Sequence, residues 1–438
     1  MNSLKSDILN PVKDSNIIYY GPVYTTTGYG SVSRYYVTGL INAGVKIKVI
    51  PFGLPEKDKI DKKTVRMLEE AEQIRIDPKL KNIVILHSTP SGWKNLKIKG
   101  ADYIIGMTIF ETDKIPSLWT RICNAKWINE IWLPSKFNIN SFSKSGVSKH
   151  KLRLMHYCID ATRYKPIKNK TSDKFRFTYI ADFGQRKNLS LLLAAFSKEF
   201  SSNDYAELFI HTTSNNKLYL NKFLKDNENF LKNTDNIIIN TDKMSDTELI
   251  KLISNSDVYI SVDKANGWGM PCMEAMALGT PAATVNWSGS TEFMFKSNSF
   301  LIEPSGLELV DPISALNQPY YIDQKWATVK TETVRKVLRK AYSENKKLRI
   351  LGNKGRKTII DNFDTPIVTK EFINALNNIK VKKQKHEQFS LDRDFIKMLI
   401  NQIVIMIHIQ ILYIKTYKSL KLTTRIVSRW IRLRPIFY

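Results

Sequence analysis

The stretch VYISVDKANGWGMPCMEAMALGTPAATVN, residues 258–286, decides the fold. It opens with a short apolar run at 258–263, which is typical of a buried strand. Gly267 and Gly269 then remove side chains from a turn, and a helical pattern follows. A second apolar run at 281–286 closes the segment. A strand, a turn, a helix and a strand in this order predict a β-α-β unit of a parallel sheet.

The start of this helix has the chemistry of an anion site. Pro271 suits the first helical turn, where no backbone N–H is needed, and Gly279 is a good left-handed stop. Backbone N–H groups at such a helix start face outward and bind phosphate oxygens. Glu274 lies in the first turns, where its carboxylate would accept hydrogen bonds from two hydroxyls, such as those of a ribose. The structural alternative is a strand-to-helix turn with a buried carboxylate and no ligand.

The same alternation extends along the chain and predicts an α/β fold. The first series has strand patterns at 16–22, 45–53, 81–88, 101–111 and the start of 131–147, with helices at 31–44, 64–74 and the end of 131–147. The second has strands at 175–183, 206–213, 236–242, 258–263 and 281–286, with helices at 188–200, 218–231, 246–256, 272–279, 328–344 and 345–363. A polar, Pro-containing segment at 158–174 separates the series. We therefore expect two doubly wound domains, 1–165 and 166–380, facing across a cleft at the carboxyl ends of their strands, and the last helix of the second domain is a candidate to cross back to the first.

The bulk composition agrees with two such domains followed by a tail. The chain has 438 residues, of which 43% are hydrophobic, a globular composition. Its three cysteines, Cys123, Cys158 and Cys272, are widely spaced and odd in number, which argues against a disulfide framework or a structural zinc site. The N-terminus lacks the basic and apolar regions of a signal peptide, so a cytoplasmic location is expected.

A basic pair and a glycine loop supply two further candidate phosphate contacts. Arg186 and Lys187 follow one strand and precede a helix, where cations oppose the helix dipole and a bound anion is the better interpretation. The run 28–31, Gly-Tyr-Gly-Ser, opens the first helix directly after the first strand. The alternatives are a solvated basic pair and an ordinary tight turn.

The run 266–293 resembles the signature of the retaining family-four glycosyltransferases of the GT-B fold, E-G-(F/W)-G-x-P-x-x-E-A-M-A-x-G-x-P. The second glutamate of that signature maps onto Glu274, and the first maps onto Asn266, a departure from the pattern. The segments around 177–200 and 25–50 resemble the family's diphosphate-holding RKN segment and its N-terminal loop. The resemblance covers roughly residues 16–380.

The resemblance implies two Rossmann-like domains and a nucleotide-sugar substrate, with retention of anomeric configuration and with neither cofactor nor metal. The residues it implies for catalysis are Asn266, Glu274, Arg186 and Lys187. The residues it implies for donor binding are Gly28, Tyr29, Gly30, Ser31, Gly267, Trp268, Gly269, Met270, Pro271, Ser288 and Gly289. The donor would be a UDP- or GDP-sugar, and the acceptor a glycan or a lipid-linked molecule.

Weaker segments suggest acceptor contacts from the first domain. The run 105–119 resembles a segment found in part of the family and places Glu111 and Asp113 at the cleft, with a surface loop as the alternative. His87 ends a strand and could line the same cleft, although a lone histidine more often has a structural role.

The tail, 381–438, is basic and has an apolar helical face. It holds twelve Lys or Arg and three Asp or Glu, a local surplus of nine positive charges. An apolar face beside a basic segment at 395–438 suits the surface of an anionic membrane, so the location expected is peripheral on the cytoplasmic face. A helix packed on the enzyme body, a dimer contact and a true membrane span are the alternatives.

Two other function classes stay open. A catalytically weak or inactive nucleotide- or glycan-binding module with this fold is favoured by Asn266. A nucleic-acid binder is favoured only by the net charge of +26, and no recognition motif supports it. We therefore expect no nucleic-acid partner.

Overall fold

The computed structural model describes residues 15–93, 100–167, 173–201, 203–212, 217–231 and 236–379. Residues 15–309 and 323–379 fall into one compact unit, and residues 310–322 fall into another. The predicted tail helix at 395–438 lies outside the described residues. The domain boundaries at 165/166 and 380/381 stay predictions.

The first of two six-stranded parallel sheets is built from the N-terminal series. Its strands are β1 (Ser15–Gly21), β2 (Ile47–Pro51), β3 (Lys81–His87), β4 (Tyr103–Met107), β5 (Glu130–Leu133) and β6 (Leu152–Leu154). They lie in the order β2-β1-β3-β4-β5-β6. The order reverses between β1 and β3, so the loops that follow these two strands flank a crevice.

The second sheet is built in the same way from the later series. Its strands are β7 (Phe175–Ile180), β8 (Ala206–His211), β9 (Ile237–Asn240), β10 (Val258–Ile260), β11 (Ala282–Val285) and β12 (Phe300–Ile302). They lie in the order β12-β11-β10-β7-β8-β9, so the direction of winding changes between β7 and β10. A separate antiparallel pair joins β13 (Gly306–Leu309) to β14 (Lys325–Thr328).

Helices connect these strands. They are α1 (Gly28–Asn42), α2 (Lys62–Glu72), α3 (Pro90–Trp93), α4 (Ser117–Asn124), α5 (Lys136–Lys144), α6 (Leu189–Glu199), α7 (Lys217–Asp226), α8 (Glu228–Leu231), α9 (Asp246–Ser254), α10 (Met270–Ala277), α11 (Pro312–Asn317), α12 (Thr331–Ser343), α13 (Asn345–Phe363) and α14 (Thr365–Asn377). Polar side chains fix several helix starts: Thr27 caps α1, Asp61 caps α2, and Ser245 with Glu248 forms a capping box on α9. Within residues 310–322, Asp311 caps α11.

The predicted α/β class and both doubly wound sheets are confirmed, with differences at the element ends. The strand expected over 101–111 ends at Met107, and 108–111 is a loop that enters the candidate site. The helix expected over 328–344 begins at Thr331, because Thr328, where the predicted helix began, is the last residue of β14. The elements that the sequence pattern does not predict are β6, β12, the pair β13 and β14, and the helices α3, α4, α11 and α14.

The last helix returns to the first sheet. Phe372 of α14 packs its ring 5.3 Å from that of Tyr36 on α1 and 4.9 Å from that of Trp132 on β5. The Thr365 amide donates to the Ile159 carbonyl at 2.9 Å, and the Ile159 amide donates to the Phe363 carbonyl at 3.0 Å. The C-terminal end of the described chain therefore completes the packing around the N-terminal sheet.

Candidate active site

The two strands beside the switch point of the second sheet bring the basic pair to an acidic side chain. The loop after β7 carries Arg186 and Lys187 in a short 3₁₀ turn, and the loop after β10 carries Asp263. Because β7 and β10 are neighbours, the residues that follow them meet at one edge of the sheet. The Lys264 amide donates to the Arg186 carbonyl at 2.8 Å and joins the two loops.

Lys187 and Asp263 form a nearly buried ion pair. The Lys187 Nζ lies 2.8 Å from Asp263 Oδ2, and the two side chains are 16% and 6% exposed. Tyr179 donates to Asp263 Oδ1 through its hydroxyl. Burial alone would raise the pKa of Asp263, but the charges of Lys187 and Arg186 hold it below its ordinary value. Asp263 therefore stays ionised and fixes the position of the Lys187 ammonium group.

Arg186 occupies a more open position beside this pair. Its Nη1 donates to the Ala265 carbonyl at 2.7 Å and lies 3.8 Å from Asp263 Oδ2. Its Nε lies 3.8 Å from Oε1 of Glu111, which comes from the loop after β4 in the first sheet. The guanidinium thus lies between carboxylates supplied by both halves of the unit.

Asn266 is buried and bonded within its own loop region. Its Oδ1 accepts from the Ser290 amide at 3.0 Å, and its Nδ2 donates to Ser290 Oγ at 3.4 Å. The Asn266 carbonyl accepts from the Gly289 amide at 2.9 Å, and its amide donates to Ser288 Oγ at 3.0 Å. The side-chain amide therefore ties the turn after β10 to the turn after β11.

Gly267 and Gly289 make this approach possible. A Cβ on Gly289 would lie 1.7 Å from the Gly267 carbonyl oxygen, and a Cβ on Gly267 would lie 2.6 Å from Ile109 Cγ1. Gly269 has φ of +93° and precedes α10, with Pro271 in the first turn and Met270 partly exposed. Gly267 and Gly289 thus let the loops after β10 and β11 pack backbone to backbone, and Gly267 leaves room for the Ile109 side chain of the loop after β4.

Trp268 is a packing residue in this structure. It is 2% exposed, its Nε1 donates to Met273 Sδ at 3.1 Å, and its ring lies 5.1 Å from Phe293 and 5.6 Å from Phe363. The Trp268 ring thus packs with these two aromatic side chains and stabilises the turn by its burial.

Glu274 lies on α10 and accepts a hydrogen bond from the Tyr164 hydroxyl at 3.2 Å. Burial raises the pKa of Glu274 to about 7, an effect that the Tyr164 hydrogen bond partly offsets. Tyr259 lies within electrostatic range of both Glu274 and Asp263, and burial followed by neighbouring charges raises its pKa well above the ordinary value. The charges of both carboxylates thus contribute to the raised pKa of this buried tyrosine.

The glycine loop of the first sheet begins α1. Gly28 is exposed, and a Cβ there would meet nothing within 4 Å, whereas a Cβ on Gly30 would lie 2.2 Å from the Thr25 carbonyl oxygen. The Tyr29 hydroxyl accepts from the Ile109 amide at 3.2 Å. Ser31 Oγ accepts from Arg34 Nη2 at 3.0 Å. Gly28 is therefore the exposed residue of this run, and the other three residues make contacts that stabilise the loop.

His87 is buried within a tyrosine cluster. Its Nδ1 lies 2.5 Å from the Tyr19 hydroxyl and 3.0 Å from Ser33 Oγ, and its Nε2 lies 3.3 Å from the Tyr157 hydroxyl. Burial lowers its pKa to about 3, so the ring is neutral at ordinary pH. This environment favours the structural role over an acceptor contact.

Asp113 is engaged with the antiparallel pair. Its Oδ1 accepts from the Lys325 amide at 2.6 Å, and its own amide donates to the Lys325 carbonyl at 3.1 Å. The structure thus places Glu111 beside Arg186 and directs Asp113 to the backbone of β14.

Sequence reasoning missed Asp263 and Tyr164. Asp263 ends an apolar run directly before the glycine turn, a position at the strand end that could have marked it. Tyr164 lies in the segment between the two series, and no local pattern signals its contact with α10. Across the described ranges, no group of three or more His, Cys, Asp or Glu side chains is arranged to hold a metal ion.

The family and the fold follow from comparison with known proteins. Residues 160–314 match the family model described as Glycosyl transferases group 1. Residues 160–314 are a group 1 glycosyl transferase domain. This domain holds Arg186, Lys187, Asp263 and Glu274. No curated protein sequence matches the chain.

Solved structures place the whole unit in the GT-B fold. Anabaena HepE, in complex with UDP-glucose, has a TM-score of 0.60 at 11% identity, over 83% of this chain and 100% of HepE. A glycosyltransferase from Rickettsia africae has a TM-score of 0.61 at 13% identity, over 83% of this chain and 98% of its own. The sucrose-phosphate synthase of Thermosynechococcus elongatus has a TM-score of 0.60 at 13% identity, with the same coverage. At these identities the likeness shows the fold, which agrees with the two doubly wound sheets of this chain.

Proposed function

We propose that this chain is a glycosyltransferase that moves a sugar from a UDP- or GDP-sugar to a glycan or lipid-linked acceptor. The observation that carries the proposal is the meeting of Arg186 and Lys187 with residues 263–265, which lead into the glycine turn before α10, at the switch point of a group 1 domain. Crevices at switch points of open α/β sheets bind nucleotides, and two cations there suit a diphosphate. HepE, which shares the fold, is described in complex with UDP-glucose.

The proposed mechanism depends on the charge that the leaving diphosphate gains during the reaction. When the bond to the sugar breaks, the diphosphate gains negative charge, and fixed cations at Arg186 and Lys187 lower the barrier. Glu274 would hold the ribose hydroxyls, and the glycine loop 28–31 would close over the diphosphate. We further propose retention of anomeric configuration, with the leaving phosphate taking the acceptor proton on the same face, and no requirement for a metal ion. Closure of the cleft would exclude water and suppress hydrolysis.

Donor hydrolysis tests this proposal without knowledge of the acceptor. Purified protein is incubated with UDP-, GDP- and ADP-sugars, with and without EDTA, and free sugar and nucleotide are measured. We expect slow hydrolysis of one donor, unchanged by EDTA and lost in Glu274→Ala. A wild-type rate in Glu274→Ala would remove that residue from the site, and a rate lost with EDTA would contradict the metal-free mechanism.

A second candidate function is a nucleotide- or glycan-binding module with little or no turnover. It is favoured by Asn266, whose neutral side chain is occupied by Ser290. Calorimetric titration with UDP and GDP separates the two. Tight binding together with no hydrolysis or transfer of any donor supports the module, and measurable turnover supports the enzyme.

We also propose a peripheral position on the cytoplasmic face of a membrane, through residues 395–438. The sequence of that segment supports the proposal by its basic charge and apolar face. Among the residues that the structure describes, no helix has the length and apolar character needed to cross a bilayer. Sedimentation with vesicles of anionic and neutral lipid tests the proposal. Equal sedimentation of the full chain and of a chain lacking 395–438 would contradict it.

A further inference from the structure

The loop after β4 reaches the second half of the unit and forms hydrogen bonds with it at Glu111 and at Asp113. Ser288 donates to the Glu111 carbonyl at 3.3 Å, and Asp113 forms two hydrogen bonds with the backbone of Lys325. Ser288 is also bonded to Asn266 in the turn after β10. Glu111 is thus held next to the turn that carries Asn266 by contacts that do not use its carboxylate.

The carboxylate of Glu111 meets Arg186. Among the described residues, two carboxylates have oxygens within 4 Å of the Arg186 guanidinium, those of Glu111 and Asp263. Asp263 is nearly buried and is bonded to Lys187 and Tyr179. Glu111 is 19% exposed and lies farther from Arg186 than a hydrogen bond, at 3.8 Å. An ion pair of this length is weaker than a charge-assisted hydrogen bond and is open to competition by a second anion.

A diphosphate is such an anion. The proposed function places it at Arg186, and in a nucleotide-sugar the sugar is bonded directly to the outer phosphate. A carboxylate that reaches Arg186 is therefore within reach of that sugar. Asn266, which lies in the adjacent turn, offers no charge, and its amide is already bonded to Ser290.

We propose, resting on the proposed function, that Glu111 contacts the sugar of the donor and stabilises the positive charge that develops on it. In the reaction, the bond between the anomeric carbon and the diphosphate oxygen breaks, and its electron pair leaves with the diphosphate. The acceptor oxygen forms the new bond to that carbon, and its proton goes to the departing phosphate. Glu111 takes no part in this proton transfer, and its carboxylate stabilises the charge of an oxocarbenium-like transition state. The diphosphate replaces Glu111 as the partner of Arg186.

This assignment makes Glu111 a contact to the donor sugar. The affinity of the protein for the nucleotide alone distinguishes this role from a structural one. Removing the charge of Glu111 takes away a competitor for Arg186, so nucleoside diphosphate should bind as tightly as in wild type or more tightly. Donor hydrolysis, which needs no acceptor, should fall about 10²-fold or more because a transition-state charge is lost.

The experiment compares Glu111→Gln and Glu111→Asp with Asp113→Asn as the matched control. Asp113→Asn keeps an oxygen to accept from the Lys325 amide, so it should hydrolyse donor and bind nucleotide as wild type does. Glu111→Asp keeps the charge on a shorter side chain and should recover part of the hydrolysis lost in Glu111→Gln. Thermal unfolding of each variant shows whether the fold is kept. UDP and GDP are titrated, and hydrolysis of the matching sugar nucleotides is measured.

Wild-type donor hydrolysis by Glu111→Gln overturns the proposal. Normal hydrolysis combined with loss of transfer also overturns it and assigns Glu111 to the acceptor. Loss of nucleotide binding in Glu111→Gln, with wild type still binding, shows a structural role instead. Failure of the wild-type protein to bind either nucleotide or to hydrolyse any donor overturns the proposed function itself and this inference with it.

Discussion

Replacing Lys187 by a neutral side chain should cost both stability and activity. The sequence alone predicts loss of turnover without loss of folding in Lys187→Ala. The structure adds a partner, because Lys187 Nζ lies 2.8 Å from the nearly buried carboxylate of Asp263. Removing one member of a buried pair costs about 3–5 kcal/mol, since the other charge is left uncompensated. Arg186 at 3.8 Å and the Tyr179 hydroxyl remain near Asp263, so we expect the lower end, about 3 kcal/mol.

A double substitution separates the two roles of this lysine. Lys187→Met combined with Asp263→Asn removes both charges and should recover stability to within about 1 kcal/mol of wild type, because no buried charge is left without a partner. Turnover should stay lost, because the cation that faces the diphosphate is still absent. Urea unfolding followed by fluorescence measures stability, and donor hydrolysis measures activity. Recovery of turnover in the stable double variant would refute a direct role for Lys187.

Two further predictions concern the contacts around the site. Burial opposes the charged form of His156, but the carboxylates of Glu292 and Glu371 raise its pKa to about 9. The stability that the charged ring contributes is therefore fully present below about pH 6.5 and is lost as the pH rises through 9. We expect up to about 3 kcal/mol of pH-dependent stability between these limits, absent in His156→Gln; equal losses of stability in both proteins on urea unfolding would contradict this. Gly289→Ala should destabilise the protein by about 3 kcal/mol, because its Cβ would lie 1.7 Å from the Gly267 carbonyl oxygen. Gly28→Ala is the matched control, since its Cβ meets nothing within 4 Å, and equal melting temperatures for the two variants would contradict the contact argument.

Much of the fold could be predicted because its signals are local. Apolar runs separated by Gly- and Pro-containing turns marked most strands of both sheets, and the strand-helix segment at 258–286 gave the parallel arrangement. The antiparallel pair of β13 and β14 was not predicted, because both strands are short and no apolar run marks them. Leu307 and Leu309 of β13 are exposed. The bounds of α14 were not predicted, and the return of the last helix to the first domain was one open alternative, because packing against Tyr36 depends on the tertiary fold.

The candidate site was predicted less completely than the fold. The pair at 186 and 187 was predicted from its place before a helix, and in the structure the Arg186 carbonyl accepts from the amide of Lys264, which precedes the glycine turn. The partners of these residues depend on which strands are neighbours in the sheet, and a local sequence pattern does not predict strand order. Asp263 and Glu111 meet the basic pair only because β10 lies next to β7 and the loop after β4 crosses to the second half.

The position of α14 has a consequence for folding during synthesis. Tyr36 and Trp132 are covered by Phe372, a residue translated more than two hundred positions after either of them. A nascent chain that has released only its first sheet from the ribosome therefore keeps the Phe372-facing side of these two aromatic rings uncovered until the second sheet has been made. Exposed rings of this kind favour aggregation, so the order of translation leaves the N-terminal half dependent on the last described helix.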